Sequence, residues 1–211
     1  MQLPQEVLIN EGEAQAYVVR NWAPAEFVNF QLLEALWNSM PFTQEKFKIY
    51  GRDATEGRPV VVIGEGGRTI HYSGIARPHI DWMLPREQGG SADLPAVPLI
   101  RQMLPFLEQN AGHQLNSCLI NFYRSGADYL GPHRDPKTSR GRNNVATVSV
   151  GGSRLFEFER ISDKNVKVPV ILHNGDMMIM TRHVHELWRH GVPKMPGTEP
   201  RASLTFRYVD T

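Results

Sequence analysis

The spacing of apolar residues predicts two helices in the first half of the chain. In "APAEFVNFQLLEALWNSM" the apolar side chains recur at helical spacing, at Phe30, Leu33, Trp37 and Met40. Pro24 suits the first turn of this helix, which we expect to pack on another element. A second helical stretch, "AVPLIRQMLPFLEQNAG", ends near Gly112 and is expected to bend or restart at Pro105, because proline removes a helical hydrogen bond.

From Asn116 onward the pattern changes to short strands separated by turns. The predicted strands are "SCLINFY", "NVATVSV", "RLFEFER", "KVPVILH", "DMMIMT", "ELWRHGV" and "RASLTFRYV". We expect no helix between them, and this spacing is typical of a double-sheet barrel of jelly-roll type. Upstream, "AQAYVVRNW", "RPVVVIG" and "RTIHYSG" are predicted as further short strands between turn signals. The predicted fold class is mostly β with flanking helices.

The size and composition of the chain fit one soluble domain over residues 1–211, with the helices in 1–115 and the β-core in 116–211. No apolar run approaches the roughly 18 residues that a membrane helix needs. The first residues lack the basic start and apolar core of a secretory signal. Cys118 is the single cysteine, so an internal disulfide is excluded. We expect a cytoplasmic protein without a membrane partner, and we also expect a monomer.

The segment "YLGPHRDPKTS" contains a candidate pair of metal ligands. Protein kinases also carry H-R-D, but the Asn, the Gly-rich loop and the D-F-G motif that accompany it in kinases are absent here. In an extended segment His133 and Asp135 project to the same side, so both can point at one ion. Imidazole and carboxylate together suit a divalent transition metal. The alternative interpretation is an ordinary charged loop.

A third metal ligand has to come from elsewhere in the chain. The histidines downstream are His173, His183, His185 and His190. In "WRHGVPK", Trp188, His190 and Val192 share one face of a strand that would otherwise be apolar, which favours His190. Two histidines and one carboxylate with open positions form the arrangement of non-haem Fe(II) oxygenases. The alternative is that this histidine is a satisfied core or surface residue, which is common.

The final strand, "RASLTFR", presents polar side chains on one face, at Arg201, Ser203, Thr205 and Arg207. Two guanidinium groups on an inward face are costly unless an anion meets them, and a small dicarboxylate would do so. The alternative is that this face is exposed to solvent. In "LINFY", Asn121 and Tyr123 share another face, where an amide and a phenol can orient a carboxylate or satisfy backbone groups.

Residues 131–142 carry an excess of positive charge, although the net charge of the chain is only +1. The basic residues in this stretch are Arg134, Lys137, Arg140 and Arg142, and the one acid is Asp135. A solvated loop and a rim that faces phosphate groups both fit this pattern.

Several motifs, in order, resemble the AlkB family of Fe(II)- and 2-oxoglutarate-dependent dioxygenases, in its nucleic-acid demethylase branch. They are "LINFYRSGADYLGPHRD", "RLFEFER", "HNGDMMIM", "WRHGVPK" and "EPRASLTFR", with weaker likeness at "FKIYG" and "TIHYSG". The resemblance implies a double-stranded β-helix (jelly-roll) core with an N-terminal α/β nucleotide-recognition elaboration. It implies that Fe(II) is bound by His133, Asp135 and His190. It also implies that the co-substrate 2-oxoglutarate is held by Asn121, Tyr123, Arg201, Thr205 and Arg207.

The same resemblance implies oxidative demethylation of N-alkylated bases in DNA, with RNA as an alternative substrate and with release of succinate, CO2 and formaldehyde. A methyl group on the pairing edge is reached only when the base is extruded or single-stranded. The resemblance places Tyr72 as a stacking platform for that base. It places an apolar wedge for the vacated stack at Ile49, Tyr50 and Gly51. Lys137 stands where the family usually has an acidic residue against the target base, and His185 stands where a small polar residue is usual.

Two other hypotheses stay open on the sequence. The first keeps the oxygenase chemistry but directs it at a protein side chain or a small molecule. The second is a non-catalytic, cupin-like metal-binding module. This second hypothesis is disfavoured because a binding module has no need of two anion-binding arginines beside an iron triad.

Overall fold

The computed structural model describes residues 4–49, 51–72, 75–135 and 143–210, and the side chains of Glu26, Ile49 and Tyr72 lie outside the described part. The strands are β1 (Gln5–Glu11), β2 (Ala14–Val19), β3 (Lys46–Ile49), β4 (Arg52–Thr55), β5 (Val60–Gly64), β6 (Thr69–Tyr72), β7 (Ile75–Pro78), β8 (Ile80–Asp81), β9 (Ser117–Tyr123), β10 (Leu130–His133), β11 (Val145–Gly151), β12 (Arg154–Arg160), β13 (Lys167–Leu172), β14 (Met177–Met180), β15 (Trp188–Val192) and β16 (Arg201–Arg207). The helices are α1 (Phe30–Ser39), α2 (Val97–Ala111) and α3 (Val184–Leu187).

Two sheets form the body of the protein. The large sheet has eight strands in the order β1-β2-β14-β11-β16-β9-β5-β8, and the small sheet has four in the order β10-β15-β12-β13. Their inner faces share one apolar core, to which Val18, Tyr123 and Met178 of the large sheet and Phe158 and Trp188 of the small sheet contribute. Two hairpins, β3–β4 and β6–β7, complete the fold. The predicted jelly-roll core with flanking helices is confirmed.

The outer face of the large sheet packs on the helices in a second core. Ala202, Leu204 and Phe206 of β16 belong to this core together with Cys118 of β9, which is fully buried. The polar side chains of β16 alternate with these apolar ones, so they point to the opposite face, towards the small sheet. One face of β16 therefore packs in a hydrophobic core, and its other face presents polar side chains towards the small sheet.

The first helix is shorter than predicted and buries a different stripe. Asn29 caps it by accepting a hydrogen bond from the Leu32 amide at 2.8 Å, so the helix begins at residue 30. The residues that α1 buries are Leu32, Leu33 and Leu36, whereas Phe30 is 74% exposed and Trp37 is 43% exposed. The predicted helix that packs on another element is therefore present, but Phe30 and Trp37, two members of the predicted helical spacing, are not among its buried residues.

The second helix agrees with the sequence in its extent. It continues through Pro105 and does not restart there, and it ends at Gly112, whose φ of +77° is a left-handed conformation that glycine adopts without steric cost. No helix in the described ranges is long and apolar enough to cross a membrane.

The structure adds elements that the sequence pattern did not indicate. The short helix α3 separates β14 from β15, so the expectation of no helix between the core strands is wrong. Residues of the first half are also part of the large sheet, because β2 pairs with β14 and β5 pairs with β9. The N-terminal elaboration thus extends the jelly-roll sheet at both edges.

Candidate active site

His133, Asp135 and His190 converge between the two sheets. His133 ends β10, His190 lies in the neighbouring strand β15, and the two residues are direct register partners. Oδ1 of Asp135 lies 3.5 Å from Nε2 of each histidine. One ligand atom from each residue lies within 4.8 Å of the others. This spacing fits a single metal ion held on one triangular face.

The close approach of β10 and β15 depends on Gly191. A Cβ atom at this position would lie 2.7 Å from the Leu130 carbonyl oxygen and 3.1 Å from the Gly131 carbonyl carbon. Glycine is therefore required beside His190 if the two histidine-bearing strands are to lie together. The pairing is irregular between Leu130 and His133, which aims both side chains into the same pocket.

The protonation of the triad suits metal binding. Burial would by itself raise the pKa of the Asp135 carboxyl, but Arg207 and the two imidazoles hold this pKa well below its usual range. Burial, together with His190, lowers the pKa of His133 to about 4. Nδ1 of His133 lies 3.0 Å from the Gly131 carbonyl, so Nδ1 carries the proton and Nε2 is left for a metal. These three residues fit Fe(II) as ligands.

The polar face of β16 carries two buried guanidinium groups. Arg201 is 1% exposed and Arg207 is 6% exposed, so the alternative of a solvent-facing strand is excluded. Nη2 of Arg207 lies 3.4 Å from Oδ2 of Asp135, which places Arg207 beside the metal triad. Arg201 donates to Oγ of Ser149 at 2.9 Å, and its Nε and Nη1 have no hydrogen-bond partner within the described ranges. Burial lowers the pKa of Arg201 to about 10, so it stays charged.

One pocket joins the triad to the predicted co-substrate residues. Beside the three metal ligands, its walls include Asn121, Tyr123, Thr205 and Arg207. Arg201 is not part of the pocket wall and lies against Tyr123, with its guanidinium carbon 5.5 Å from the ring centre. Two nitrogens of a buried cation without partners indicate a missing anion. A dicarboxylate such as 2-oxoglutarate fits this donor set.

The sequence model of the 2OG-Fe(II) oxygenase superfamily matches residues 15–207.

The chain belongs to this superfamily.

Its relatives within the superfamily are AlkB homologues, which confirms the resemblance to that family. Alpha-ketoglutarate-dependent dioxygenase alkB homolog 3 of Homo sapiens is 37% identical over 124 residues, which are 53% of this chain and 43% of that protein. The Mus musculus homolog 3 is 30% identical over 191 residues, which are 84% and 60% of the two proteins. DNA oxidative demethylase ALKBH2 of Homo sapiens is 25% identical over 190 residues, covering 85% and 67%. The chain thus spans about half the length of the homolog 3 proteins.

The solved structure of OsALKBH1 has the same fold. It aligns with a TM-score of 0.55 at 21% sequence identity, over 95% of this chain and 99% of that one. Fe(II) and 2-oxoglutarate are the metal and co-substrate after which the superfamily is named. The triad and the buried guanidinium groups of this chain fit both.

The other downstream histidines lie outside the triad. Nδ1 of His173 lies 2.8 Å from Oγ of Ser153, and His183 lies near Glu13 and Glu186. His185 is different. It is fully buried on α3, with its Nε2 3.9 Å from Oδ2 of Asp135 and its ring centre 5.5 Å from that of His190. His185 therefore packs directly behind two of the metal ligands.

Two arginines of the pocket were not predicted from the sequence. Arg58 and Arg77 line the same pocket as the triad, although both come from the first half of the chain. Nε of Arg58 donates to Oδ1 of Asn121 at 2.7 Å, and Arg77 is paired with Glu56. The sequence signal for Arg58 is its place just before the uninterrupted apolar strand "VVVIG". A strand that is apolar at every position is buried on both faces and therefore lies beside another core strand.

The residues predicted to contact the base are only partly described. Tyr50 and Lys137 lie outside the described residues, as do the side chains of Ile49 and Tyr72. Gly51 forms the exposed turn between β3 and β4, with a φ of +78°. These predictions stay predictions. Ile70, two residues before Tyr72, lines the pocket and was not predicted to do so.

Proposed function

We propose that this oxygenase removes alkyl groups oxidatively from the nitrogen atoms of DNA bases. The observation that carries the proposal is one pocket in which a buried His-Asp-His triad lies beside buried, positively charged side chains. The proposal is supported by the relatives, which include a DNA oxidative demethylase. A non-catalytic metal-binding module would leave the unpartnered nitrogens of Arg201 without a purpose.

The reaction consumes one O2 and one 2-oxoglutarate for each methyl group. Oxidative decarboxylation of 2-oxoglutarate to succinate and CO2 supplies two electrons, and oxidation of the N-methyl group to N-hydroxymethyl supplies the other two. One oxygen atom enters succinate and the other enters the hydroxymethyl group. The C–N bond then breaks, the ring nitrogen keeps the electron pair, the hydroxyl proton is released, and formaldehyde leaves.

The residues of the chain position and charge-stabilise the reactants. Bound Fe(II) supplies the activation of O2. His133, Asp135 and His190 would hold the metal, and three protein ligands of this kind are typical of Fe(II) oxygenases that also bind a co-substrate. Arg207 stabilises the Asp135 carboxylate, and Arg201 offers charged donors for an anionic end of 2-oxoglutarate. The apolar walls at Val60, Ile70 and Leu119 are suited to a flat base and exclude water.

Product analysis tests the proposal. The protein with Fe(II), ascorbate and 2-oxoglutarate is incubated with a panel of N-alkylated oligonucleotides, single-stranded and duplex, DNA and RNA. We expect equimolar succinate and formaldehyde and recovery of the unmodified base on a DNA member of the panel. The Asp135→Ala variant, which lacks a metal ligand, is the control and should form neither product. Succinate without formaldehyde across the whole panel would contradict the proposal and favour a protein or small-molecule substrate.

A further inference from the structure

The charged side chains of the pocket are unbalanced in favour of cations. Among the residues that the structure describes, its walls contain the arginines Arg58, Arg77 and Arg207 and the single carboxylate of Asp135. Asp135 belongs to the metal triad and is also contacted by Arg207. No carboxylate that lines the pocket within the described residues is therefore left to meet a substrate.

Arg77 is already paired with a carboxylate outside the pocket lining, that of Glu56. Glu56 is buried, and its Oε2 accepts hydrogen bonds from Arg77 and from the Glu45 amide. Nη1 of Arg77 donates to Oγ1 of Thr43. Arg77 and Glu56 thus neutralise each other and are held in place by their neighbours.

Arg58 keeps its charge without such compensation. It is 4% exposed, and its recorded hydrogen bond goes from Nε to the neutral amide oxygen of Asn121. In the part of the chain that the structure describes, Arg77 and Arg207 form the ion pairs of this pocket, with Glu56 and Asp135, and Arg58 forms none. Within the described ranges, Nη1 and Nη2 of Arg58 have no hydrogen-bond partner, and Arg58 lines the pocket. A buried guanidinium favours an oxygen acceptor and disfavours a second cation.

The sequence after the triad does not restore a negative charge. No acidic residue occurs between Asp135 and Glu157, whereas Lys137, Arg140 and Arg142 do. Alkylated bases fall into two electrostatic classes. N1-methyladenine and N3-methylcytosine are cations at neutral pH, whereas N1-methylguanine and N3-methylthymine are neutral and carry a carbonyl oxygen on the pairing edge.

We propose that this pocket selects neutral alkylated bases with a carbonyl acceptor over cationic ones, and that Arg58 is a residue that determines this selectivity. The inference rests on the proposed function, and it names the substrate class for the same site. Arg58 repels a cationic base in a low-dielectric pocket and donates a hydrogen bond to the carbonyl of a neutral one. Both effects act in the same direction.

The test compares two methylated pyrimidines of nearly the same shape. Single-stranded oligonucleotides that differ only in one N3-methylthymine or one N3-methylcytosine are supplied to the full protein with Fe(II) and 2-oxoglutarate. The ratio of kcat/KM values, measured from formaldehyde, should favour methylthymine by about tenfold or more, since one charged hydrogen bond accounts for at least such a factor. A wild-type ratio that favours methylcytosine overturns the proposal without the use of any variant.

Variants then assign the selectivity to Arg58. Arg58→Gln should lower the ratio by about tenfold, and Arg58→Lys, which keeps the charge, should retain most of it. Arg86→Gln removes the same charge from an exposed position outside the pocket and should leave the ratio unchanged. If Arg58→Gln raises the KM for 2-oxoglutarate and the ratio does not move, Arg58 serves the co-substrate and the proposal is wrong.

If the protein did not demethylate nucleic acids at all, the same assay would give a different result from a failure of the selectivity. Absence of formaldehyde from both oligonucleotides, with continued succinate formation, contradicts nucleic-acid demethylation itself. Formaldehyde from methylcytosine at equal or higher efficiency supports demethylation and contradicts only the selectivity.

Discussion

Two buried arginines flank Tyr123 and differ in how their donors are satisfied. The guanidinium carbons of Arg154 and Arg201 lie 5.1 Å and 5.5 Å from the Tyr123 ring centre. Arg154 donates to three backbone carbonyls, of Ser125, Asp128 and Pro193. Arg201 donates to Oγ of Ser149, and its Nε and Nη1 have no hydrogen-bond partner in the described ranges. The first arginine is suited to holding loops together, and the second is suited to holding a ligand.

This difference predicts that the same substitution affects ligand binding at Arg201 and the stability of the fold at Arg154. Arg201→Met, which keeps much of the volume, should raise the KM for 2-oxoglutarate by about ten- to a hundredfold, because charged hydrogen bonds to a carboxylate are lost. Arg154→Met should instead lower the free energy of unfolding by about 2 kcal/mol or more, because it leaves buried carbonyls without donors. Succinate formation against 2-oxoglutarate concentration and urea unfolding measure the two effects. An unchanged KM in Arg201→Met would remove Arg201 from the co-substrate site.

At the scale of single residues, the polar face of β16 could be predicted from simple alternation along the strand. Arg201, Thr205 and Arg207 lie two or four positions apart, and every one of them is buried on the same face. Arg58 and Arg77 could not be found in this way. Arg58 lies just before β5, whose place depends on pairing with the distant strand β9, and Arg77 is held by contacts with Thr43 and Glu56. Contacts between segments so far apart in the chain leave no local period in the sequence.

At the scale of elements, α1 shows that a helical period can be predicted correctly without identifying which face of the helix is buried. Phe30, Leu33 and Trp37 do recur at helical spacing, but Leu32, Leu33 and Leu36 form a second, overlapping stripe on the same helix. The leucine stripe packs on the large sheet. Trp37 then packs at its edge against Phe42 and Phe122, with ring centres 5.8 Å and 4.6 Å away. Which stripe is buried depends on the sheet and not on the helix.

Another feature at the scale of elements is His79, which directly precedes the edge strand β8. It contacts the residue after β5 and the first residue of β9. Its Nδ1 lies 2.9 Å from the Glu65 carbonyl, so Nδ1 carries the proton, and its Nε2 accepts from Oγ of Ser117 at 3.0 Å. Burial lowers the pKa of His79, and the positive charge of Arg68 lowers it further. The folded protein therefore holds His79 in its neutral form.

The lowered pKa of His79 predicts a loss of stability in mild acid. As the pH falls below about 6.5, the unfolded chain takes up a proton at this position before the folded protein does, so the free energy of unfolding falls, by at most about 1.4 kcal/mol per pH unit for one proton. Urea unfolding at pH 7 and pH 5.5 should show a smaller decrease for His79→Gln than for the wild type. His113→Gln, at a more exposed position, serves as the control. Equal decreases in all three proteins would contradict the role of His79.

At the scale of the whole molecule, the active site joins the two sheets. His133 and His190 belong to the small sheet, whereas Arg201, Thr205 and Arg207 belong to the large one. Between these groups the recorded ionic contact is that of Arg207 with Asp135 at 3.4 Å. A metal with a chelated dicarboxylate would add direct links between both sheets. Ligand binding should therefore stabilise the whole fold and not only the site.

We expect Fe(II) and 2-oxoglutarate, added together without oxygen, to raise Tm by about 5–10 °C. A ligand at a hundred times its Kd stabilises by about 2.7 kcal/mol, and each kcal/mol raises Tm by about 2–4 °C in a domain of this size. Each ligand alone should raise Tm clearly less, because the link between the two sheets needs both the metal and the dicarboxylate. Asp135→Ala should lose the iron-dependent part. If 2-oxoglutarate alone gave the full shift, the two ligands would not share one centre.

The architecture as a whole was predictable because its main signals are local. Short alternating strands with turns between them indicate a jelly roll without knowledge of which strands pair. The order of the eight-stranded sheet was not predictable, since β1, β2, β5 and β8 come from the first half of the chain and their pairing with later strands depends on long-range contacts. The substrate side of the pocket depends on these same strands, which is why it was the least predictable part of the site.

The burial of Cys118 has a consequence for the resistance of the protein to oxidation. Enzymes that handle iron and oxygen are exposed to peroxide when turnover is uncoupled, and exposed thiolates are oxidised first. The sole thiol of this protein lies in the core on the helix side of β9, and burial raises its pKa, so it stays in the unreactive protonated form. We therefore expect Cys118 to resist oxidation by peroxide, so that this chain can be handled without thiol reductants, which compete for iron.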